Sequence, residues 1–345
     1  MIGFRVDANE RIATGHLMRC LAIASACRSI GQECVFFLAE EKETDRLRQW
    51  QFPYRIMDTR WDAMEQELPV LKEYLRQEQV DYLVVDSYQV TAEYLRQLNQ
   101  CIPVLYIDDM AYERYAVDAV LHYGMCDDKQ EYLKKYQHTD TQVLAGIEYT
   151  PLREEFQGVS QSEETGQKVI LITTGGTDPY NITGGILQKC LCNGLFQEYT
   201  FDVIVGSMNQ YVETLRQIEQ EYAQIRLYQN VTHMSDYMRR AMMAVSAGGT
   251  TLLELCACGT PTVCFSFADN QQEGTRSMQQ RRVMRYAGDA RTDDVVSVIV
   301  EELETWIQNP GDREKYGTRM RQLVDGMGAK RIAEFLRNEE QNGDR

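Results

Sequence analysis

The stretch "MIGFRVDANERIATGHLMRCLAIASA", Met1 to Ala26, decides the fold class. Ile2 to Val6 reads as a short apolar strand. After Gly15 and His16, the residues Leu17, Cys20, Leu21 and Ala24 share one face of a helix expected to run through Arg28. A strand, a glycine-containing loop and an amphipathic helix make the first half of a β–α unit.

The same alternation continues outward. Further strands are expected at Cys34 to Leu38, Tyr54 to Met57, Tyr82 to Val85, Val104 to Ile107, Ala119 to His122 and Gln142 to Ala145. Leu68, Leu71 and Leu75 mark another helix face. The stretch 157–167, "QGVSQSEETGQ", is polar and aperiodic, as a connector would be. Beyond it the pattern restarts with "KVILITTGG", "YTFDVIVG", "IRLYQNV", "MMAVSAGG" and "PTVCFSF", and the last sixty residues read as mostly helical. The expected fold is α/β: a Rossmann-like domain over 1–156, a linker over 157–167, a second Rossmann-like domain over 168–325, and a C-terminal helix and tail over 326–345. A ligand is expected in the cleft between two such domains, near the carboxyl ends of the strands.

Composition narrows the partners. The 345 residues, 43% hydrophobic and 26% charged, carry a net charge of -16. With no long basic run, a nucleic-acid or anionic-membrane surface is not expected; a phosphate group would be held locally, by backbone amides and helix ends. The ten cysteines include no Cys-x-x-Cys, and the two Cys-x-Cys pairs fall in helical patterns where the thiols face apart. Neither a disulfide framework nor a metal site is expected, and a reduced cytoplasm suits this usage. No secretory signal and no membrane span is expected, since no apolar run approaches 18 residues.

Three glycine-bearing junctions follow strands: Thr14–Gly15–His16, Thr174–Gly175–Gly176–Thr177 and Ala247–Gly248–Gly249–Thr250–Thr251. Each could be a tight turn alone. Two in one domain, with paired threonines opening a helix, point to a diphosphate site. Glu254, one turn into that helix, would suit a ribose diol or simply sit on the helix rim. His16, in the first turn of its helix, is placed where the dipole disfavours a second positive charge, and a neutral imidazole can accept a proton. Arg19 shares its face and could hold an anionic or carbonyl oxygen; a surface histidine beside an arginine is the plainer alternative. "VVDSY" and "YIDDM" put Asp86, Tyr88, Asp108 and Asp109 at strand ends, as pocket residues or, for either Asp108 or Asp109, as helix caps. Asn270 and Gln271 in "ADNQQ" suit sugar hydroxyls or N-acetyl groups.

In order, "FRVDANERIATGHLMRCLAIASA", "LVVDSY", "YIDDM", "LAGIEYTPLREEF", "TTGGTDPYN", "SAGGTTLLELCACGTPTVCF", "ADNQ" and "GMGAKRI" resemble the bacterial UDP-sugar hydrolases of pseudaminic acid biosynthesis and the related spore-coat polysaccharide proteins. The resemblance implies a B-type glycosyltransferase fold with the nucleotide on the second domain. It also implies hydrolysis of UDP-2,4-diacetamido-2,4,6-trideoxy-β-L-altrose to UDP and free sugar. It places the base on the Gly15–His16 loop, substrate contacts on Tyr88, Asn270 and Gln271, and nucleotide contacts on Gly248, Gly249 and Glu254. Ala13 stands where the family often has a first loop glycine, and Ser87 where it has histidine.

Combined, these readings make His16 the catalytic base and Gly15, Arg19, Asp86, Tyr88, Asp109, Asn270 and Gln271 substrate contacts. Gly175, Gly176, Gly248, Gly249, Thr250, Thr251 and Glu254 are nucleotide contacts. A UDP-sugar is the expected small-molecule partner, with no cofactor, metal or evident lipid acceptor. A glycosyltransferase with the same donor, and a non-catalytic nucleotide-sugar-binding subunit of surface-glycan assembly, are the alternatives.

Overall fold

Thirteen strands and thirteen α-helices occur among residues 1–7, 15–42, 44–124, 129–158 and 168–343, the part of the chain that the computed structural model describes. They form two units: Met1–Glu154 with Gly326–Arg345, and Glu155–Asp325. Most of the expected connector, 159–167, lies outside the described residues, as do residues 344–345 of the expected tail.

Unit 1 contains β1 (Ile2–Val6), α1 (Gly15–Ser29), β2 (Cys34–Leu38), α2 (Thr44–Gln49), β3 (Tyr54–Ile56), α3 (Leu68–Gln77) and β4 (Tyr82–Asp86). It continues with α4 (Ala92–Asn99), β5 (Val104–Ile107), β6 (Ala119–His122), α5 (Lys129–Lys135) and β7 (Gln142–Ala145). Its sheet is wholly parallel, in the order β3-β2-β1-β4-β5-β6-β7. Alternation along β1 explains the two layers. Ile2, Phe4 and Val6 pack with Leu17, Leu21 and Ala24 of α1 on one face, while Leu71 and Leu75 of α3 and Leu95 of α4 cover the other. The seven expected strands form, with small shifts at the ends. β4 reaches one residue further than expected and so includes Asp86.

Unit 2 contains β8 (Val169–Thr173), α6 (Ile182–Leu191), β9 (Thr200–Ile204), α7 (Val212–Glu221), β10 (Ile225–Tyr228), α8 (Met234–Arg240) and β11 (Met243–Ala247). It continues with α9 (Thr251–Cys258), β12 (Thr262–Ser266), α10 (Asp269–Gln280), β13 (Arg285–Asp289), α11 (Val295–Gln308) and α12 (Pro310–Leu323). The sheet is again parallel, in the order β10-β9-β8-β11-β12-β13. Strand β13 was not among the expected strands. Its sequence, RYAGD, has no β-branched residue, and it lies at the sheet edge, paired through an irregular register with β12 alone.

The last helix, α13 (Gly328–Gly343), returns to unit 1. Ala329, Ile332, Ala333 and Leu336 enter the core beneath α1. A Cβ on Gly328 would stand 2.1 Å from the Thr150 carbonyl oxygen, so only glycine lets the helix start so close to that turn. Arg331 Nη1 donates to the Glu148 carbonyl at 2.8 Å. Two of the motifs quoted above, 144–156 and 326–332, therefore meet as one packing contact.

Candidate functional site

In each sheet the strand order reverses beside the first strand: β1 has β2 on one side and β4 on the other, and β8 has β9 and β11. Such switch points leave a crevice at the carboxyl ends of the strands, where ligands of open α/β sheets bind. The residues that stand out in the sequence gather at these two places.

In unit 1, His16 is the second residue of α1 and is buried, 5% exposed. The surface-histidine alternative is thereby excluded. The Nδ1 of His16 lies 2.5 Å from Asp86 Oδ1, at the end of β4, which pairs with β1 through Val6 and Asp86. Arg19, one turn further along α1, grips the same carboxylate with both arms: Nε to Oδ2 and Nη2 to Oδ1, each at 2.5 Å. Its Nη1 donates to Asp109 Oδ2 at 2.6 Å and to the Tyr123 hydroxyl at 2.7 Å. The Cys20 thiol reaches Asp86 Oδ2 at 3.5 Å from below.

Burial by itself would push the Asp86 carboxyl up. The Arg19 charge and hydrogen bonds, with a smaller contribution from His16, outweigh it and hold Asp86 well below the usual carboxylate range. An ionised carboxylate only accepts, so the proton in the 2.5 Å contact belongs to His16 Nδ1. In the neutral ring the lone pair then sits on Nε2. The arginine fork fixes the carboxylate, the carboxylate fixes the tautomer, and the tautomer leaves Nε2 able to take a proton.

Tyr88, which follows β4, is 55% exposed and packs edge-on against the His16 ring, with centroids 4.4 Å apart. Its hydroxyl donates to Asp109 Oδ2 at 2.9 Å. Burial, then the neighbouring Asp109 charge, raise the Tyr88 hydroxyl above its usual range and keep it a donor. Met110 and Tyr112, on the loop after β5, are also exposed.

Several expectations are corrected here. Arg19 and Asp86, expected to touch a ligand, bond to one another as fork and carboxylate, with Asp86 also against His16. The capping role weighed for Asp108 or Asp109 does not arise, because no helix stands between β5 and β6. Asp108 is fully buried and accepts from the Ala111 amide and the Tyr132 hydroxyl, which makes it a structural tie, while Asp109 joins the site. Gly15 opens α1, and a Cβ there would meet nothing within 4 Å; Thr14 and Ala13 lie outside the described residues. Tyr123 was missed, although its place straight after β6 matches that of the other strand-end residues. Arg5 was missed too, though an arginine inside an apolar strand is a signal in itself. It is fully buried, bonded through Nε and Nη2 to Glu67 at 2.6 and 2.7 Å and through Nη1 to Asp7 at 2.6 Å, and it anchors the end of β1.

In unit 2, Thr173 of β8 pairs with Ser246 of β11, so the two glycine junctions leave the sheet side by side. The glycines do different work. A Cβ on Gly248 would stand 2.8 Å from Gln271 Cβ and 2.9 Å from Thr275 Cγ2, so Gly248 lets α10 pack against β11. Gly249, at φ +142°, and Gly175, at φ +78°, face open space, and both are exposed. Gly176 is exposed beside Met208. Thr250 is exposed and Thr251 begins α9. The Leu252, Leu253 and Glu254 amides already donate to the Gly249 and Thr250 carbonyls, so the amides still to be satisfied are those of Gly249, Thr250 and Thr251. Glu254 is half-buried one turn in. Asn270 is exposed, whereas the Oε1 of Gln271 accepts from the Phe267 amide at 3.0 Å and shapes the turn into α10. Gln271 thus keeps only its amide nitrogen for a ligand.

Among the described residues no group of three His, Cys, Asp or Glu side chains could hold a metal ion, and no helix is long and apolar enough to cross a membrane.

No family model matches the chain. An uncharacterised protein of Methanocaldococcus jannaschii is 23% identical over 79% of this chain, which spans 57% of that protein's length. The spore coat polysaccharide biosynthesis protein SpsG of Bacillus subtilis is 20% identical over 98% of both chains. The UDP-2,4-diacetamido-2,4,6-trideoxy-β-L-altropyranose hydrolase of Campylobacter jejuni is 21% identical over 71% of this chain and 84% of its own. Among solved structures, Acinetobacter baumannii MurG superposes with a TM-score of 0.69 at 13% identity, covering 98% of this chain and 99% of its own. The spinosyn rhamnosyltransferase SpnG gives 0.67 at 13% identity, covering 97% and 99%. Anabaena HepE in complex with UDP-glucose gives 0.60 at 10% identity, covering 98% and 99%. The chain therefore has the fold of the B-type glycosyltransferases, and its distant homologues include the altropyranose hydrolase and the spore-coat protein, the family its motifs resemble.

Proposed function

We propose that this protein hydrolyses a UDP-linked 2,4-diacetamido-2,4,6-trideoxy sugar, the β-L-altrose derivative, at the anomeric carbon. The observation that carries the reading is the His16–Asp86 pair locked by Arg19. His16 Nε2 takes a proton from water as the water oxygen bonds to C1 on the face opposite UDP. The C1–O bond to the diphosphate breaks, and UDP leaves with its electron pair, giving inversion. A diphosphate leaves readily as an anion and needs no general acid. The amides of Gly249, Thr250 and Thr251, where α9 starts, take up its charge.

An NMR time course with this sugar nucleotide tests the reading. UDP and a free sugar of inverted anomeric configuration are expected, at a rate that a chelator leaves unchanged. A substrate that survives while UDP itself binds would sink the hydrolase.

The two glycines of the α9 junction give separate expectations. Gly249→Ala strains a φ of +142° in the open loop and should weaken UDP binding, read by titration calorimetry. Gly248→Ala overpacks the contact with α10 and should cost about 1–3 kcal/mol of stability. Thermal melts that fall for Gly249→Ala but not for Gly248→Ala would reverse the assignment.

A second reading, a glycosyltransferase using the same donor, draws on the fold likeness and on the exposed Met110 and Tyr112 beyond β5. It predicts that UDP forms only when an acceptor is added, which the same time course detects.

A further inference from the structure

The carboxylates around His16 are not balanced. Asp86 and Asp109 bring two negative charges, and among the described residues the Arg19 guanidinium brings one positive charge to them. Asp86 is enclosed, with both its oxygens engaged. The carboxylate of Asp109 is 23% exposed, and the hydrogen bonds from Arg19 and Tyr88 both fall on Oδ2. Its second oxygen, Oδ1, is left open beside the half-exposed Tyr88 ring, which itself touches the His16 ring.

We propose that Asp109 is a specificity-determining residue that admits sugars with a hydroxyl or amide N–H and excludes sugars that carry a carboxylate. The inference rests on the proposed binding of a UDP-sugar with its anomeric carbon at His16. Oδ1 accepts from a donor on the ring, and the surplus negative charge repels an anionic substituent. A pyranose ring is only about 5 Å across, so a carboxylate anywhere on it falls within the range where one unscreened charge changes affinity tenfold or more.

UDP-glucose and UDP-glucuronate differ only at C6, where a hydroxymethyl group becomes a carboxylate. Titration calorimetry of both on the full chain gives a ratio of affinities within one protein. The native chain should prefer UDP-glucose at least about tenfold; Asp109→Asn should bring the ratio near one, and Asp109→Glu should restore it. No preference in the native chain, or a ratio that Asp109→Asn leaves unchanged, would overturn the proposal. The readout involves no hydrolysis. A preference, with no turnover of the diacetamido sugar nucleotide in the time course above, sinks the hydrolase and leaves this inference standing, while turnover there without a preference here does the reverse. Absence of binding by both sugar nucleotides overturns the inference and leaves the hydrolase to the time course.

Discussion

His16→Ala is expected to slow UDP release from the sugar nucleotide by about 10³-fold while leaving the affinity for UDP itself close to native. Among the described residues of the site, the imidazole supplies the proton-accepting nitrogen that Asp86 holds in place, and the nucleotide contacts proposed for unit 2 do not involve it. Asp86→Asn should approach the same loss by another route. If the amide nitrogen turns to His16, it donates to Nδ1, moves the ring proton to Nε2 and removes the base without removing the ring; in a well-studied hydrolytic triad such a swap costs about 10⁴-fold. Single-turnover rates and UDP titrations on both variants test this together. Undiminished turnover in His16→Ala would remove the base from the mechanism. A full loss of UDP binding would show instead that the histidine is a ligand contact.

Arg19→Met carries the largest expected effect on stability. The guanidinium meets Asp86, Asp109 and Tyr123 from a largely buried position on α1. Removing it leaves Asp86 enclosed without its main counter-charge, at a cost of about 3–5 kcal/mol. For units of this size that corresponds to a melting temperature lower by roughly 6–20 °C. The pH dependence should change sign. In the native chain the folded-state pKa of Asp86 is lowered, so its contribution is complete above the unfolded value of about 3.9 and is lost only as pH falls through the folded value. Without Arg19, burial dominates and raises the folded pKa above the unfolded one, so the variant should regain stability relative to native as pH falls from 7 towards 5. Thermal melts across that range decide it: parallel curves for the two proteins would mean that Asp86 does not depend on Arg19. Arg19→Lys should fall between, since an ammonium keeps the charge but cannot span both carboxylate oxygens.

The strands and both glycine junctions were legible because burial on both faces of a parallel sheet writes itself as apolar runs. His16, Asp86, Tyr88 and Asp109 could be named as candidates for the same reason, since each follows or ends such a run. How they bond to one another was not legible. Asp86 lies 70 residues from His16, and nothing local in VVDSY says that its carboxylate accepts from a histidine rather than from a ligand. The partners of Arg19 were hidden on the same account: helical spacing put it beside His16, but the carboxylates that occupy its fork come from the ends of two strands. Gly248 and Gly249 are adjacent and identical in type, and only the position of α10 separates a packing glycine from an open one. Strand β13 escaped because an edge strand that pairs on one side need not be apolar throughout.

The return of α13 to the first sheet has a consequence for how the chain is made. Residues 155–325 are an insertion within unit 1, so a ribosome finishes the whole of unit 2 before the helix that covers α1 has emerged. Until then Leu17, Leu21 and their neighbours lack Ile332 and Leu336, and the helix that carries His16 lies on an incomplete core. The nascent protein can thus hold a folded second unit while the first still waits for α13, and the helix that carries His16 is covered only after unit 2 has been made.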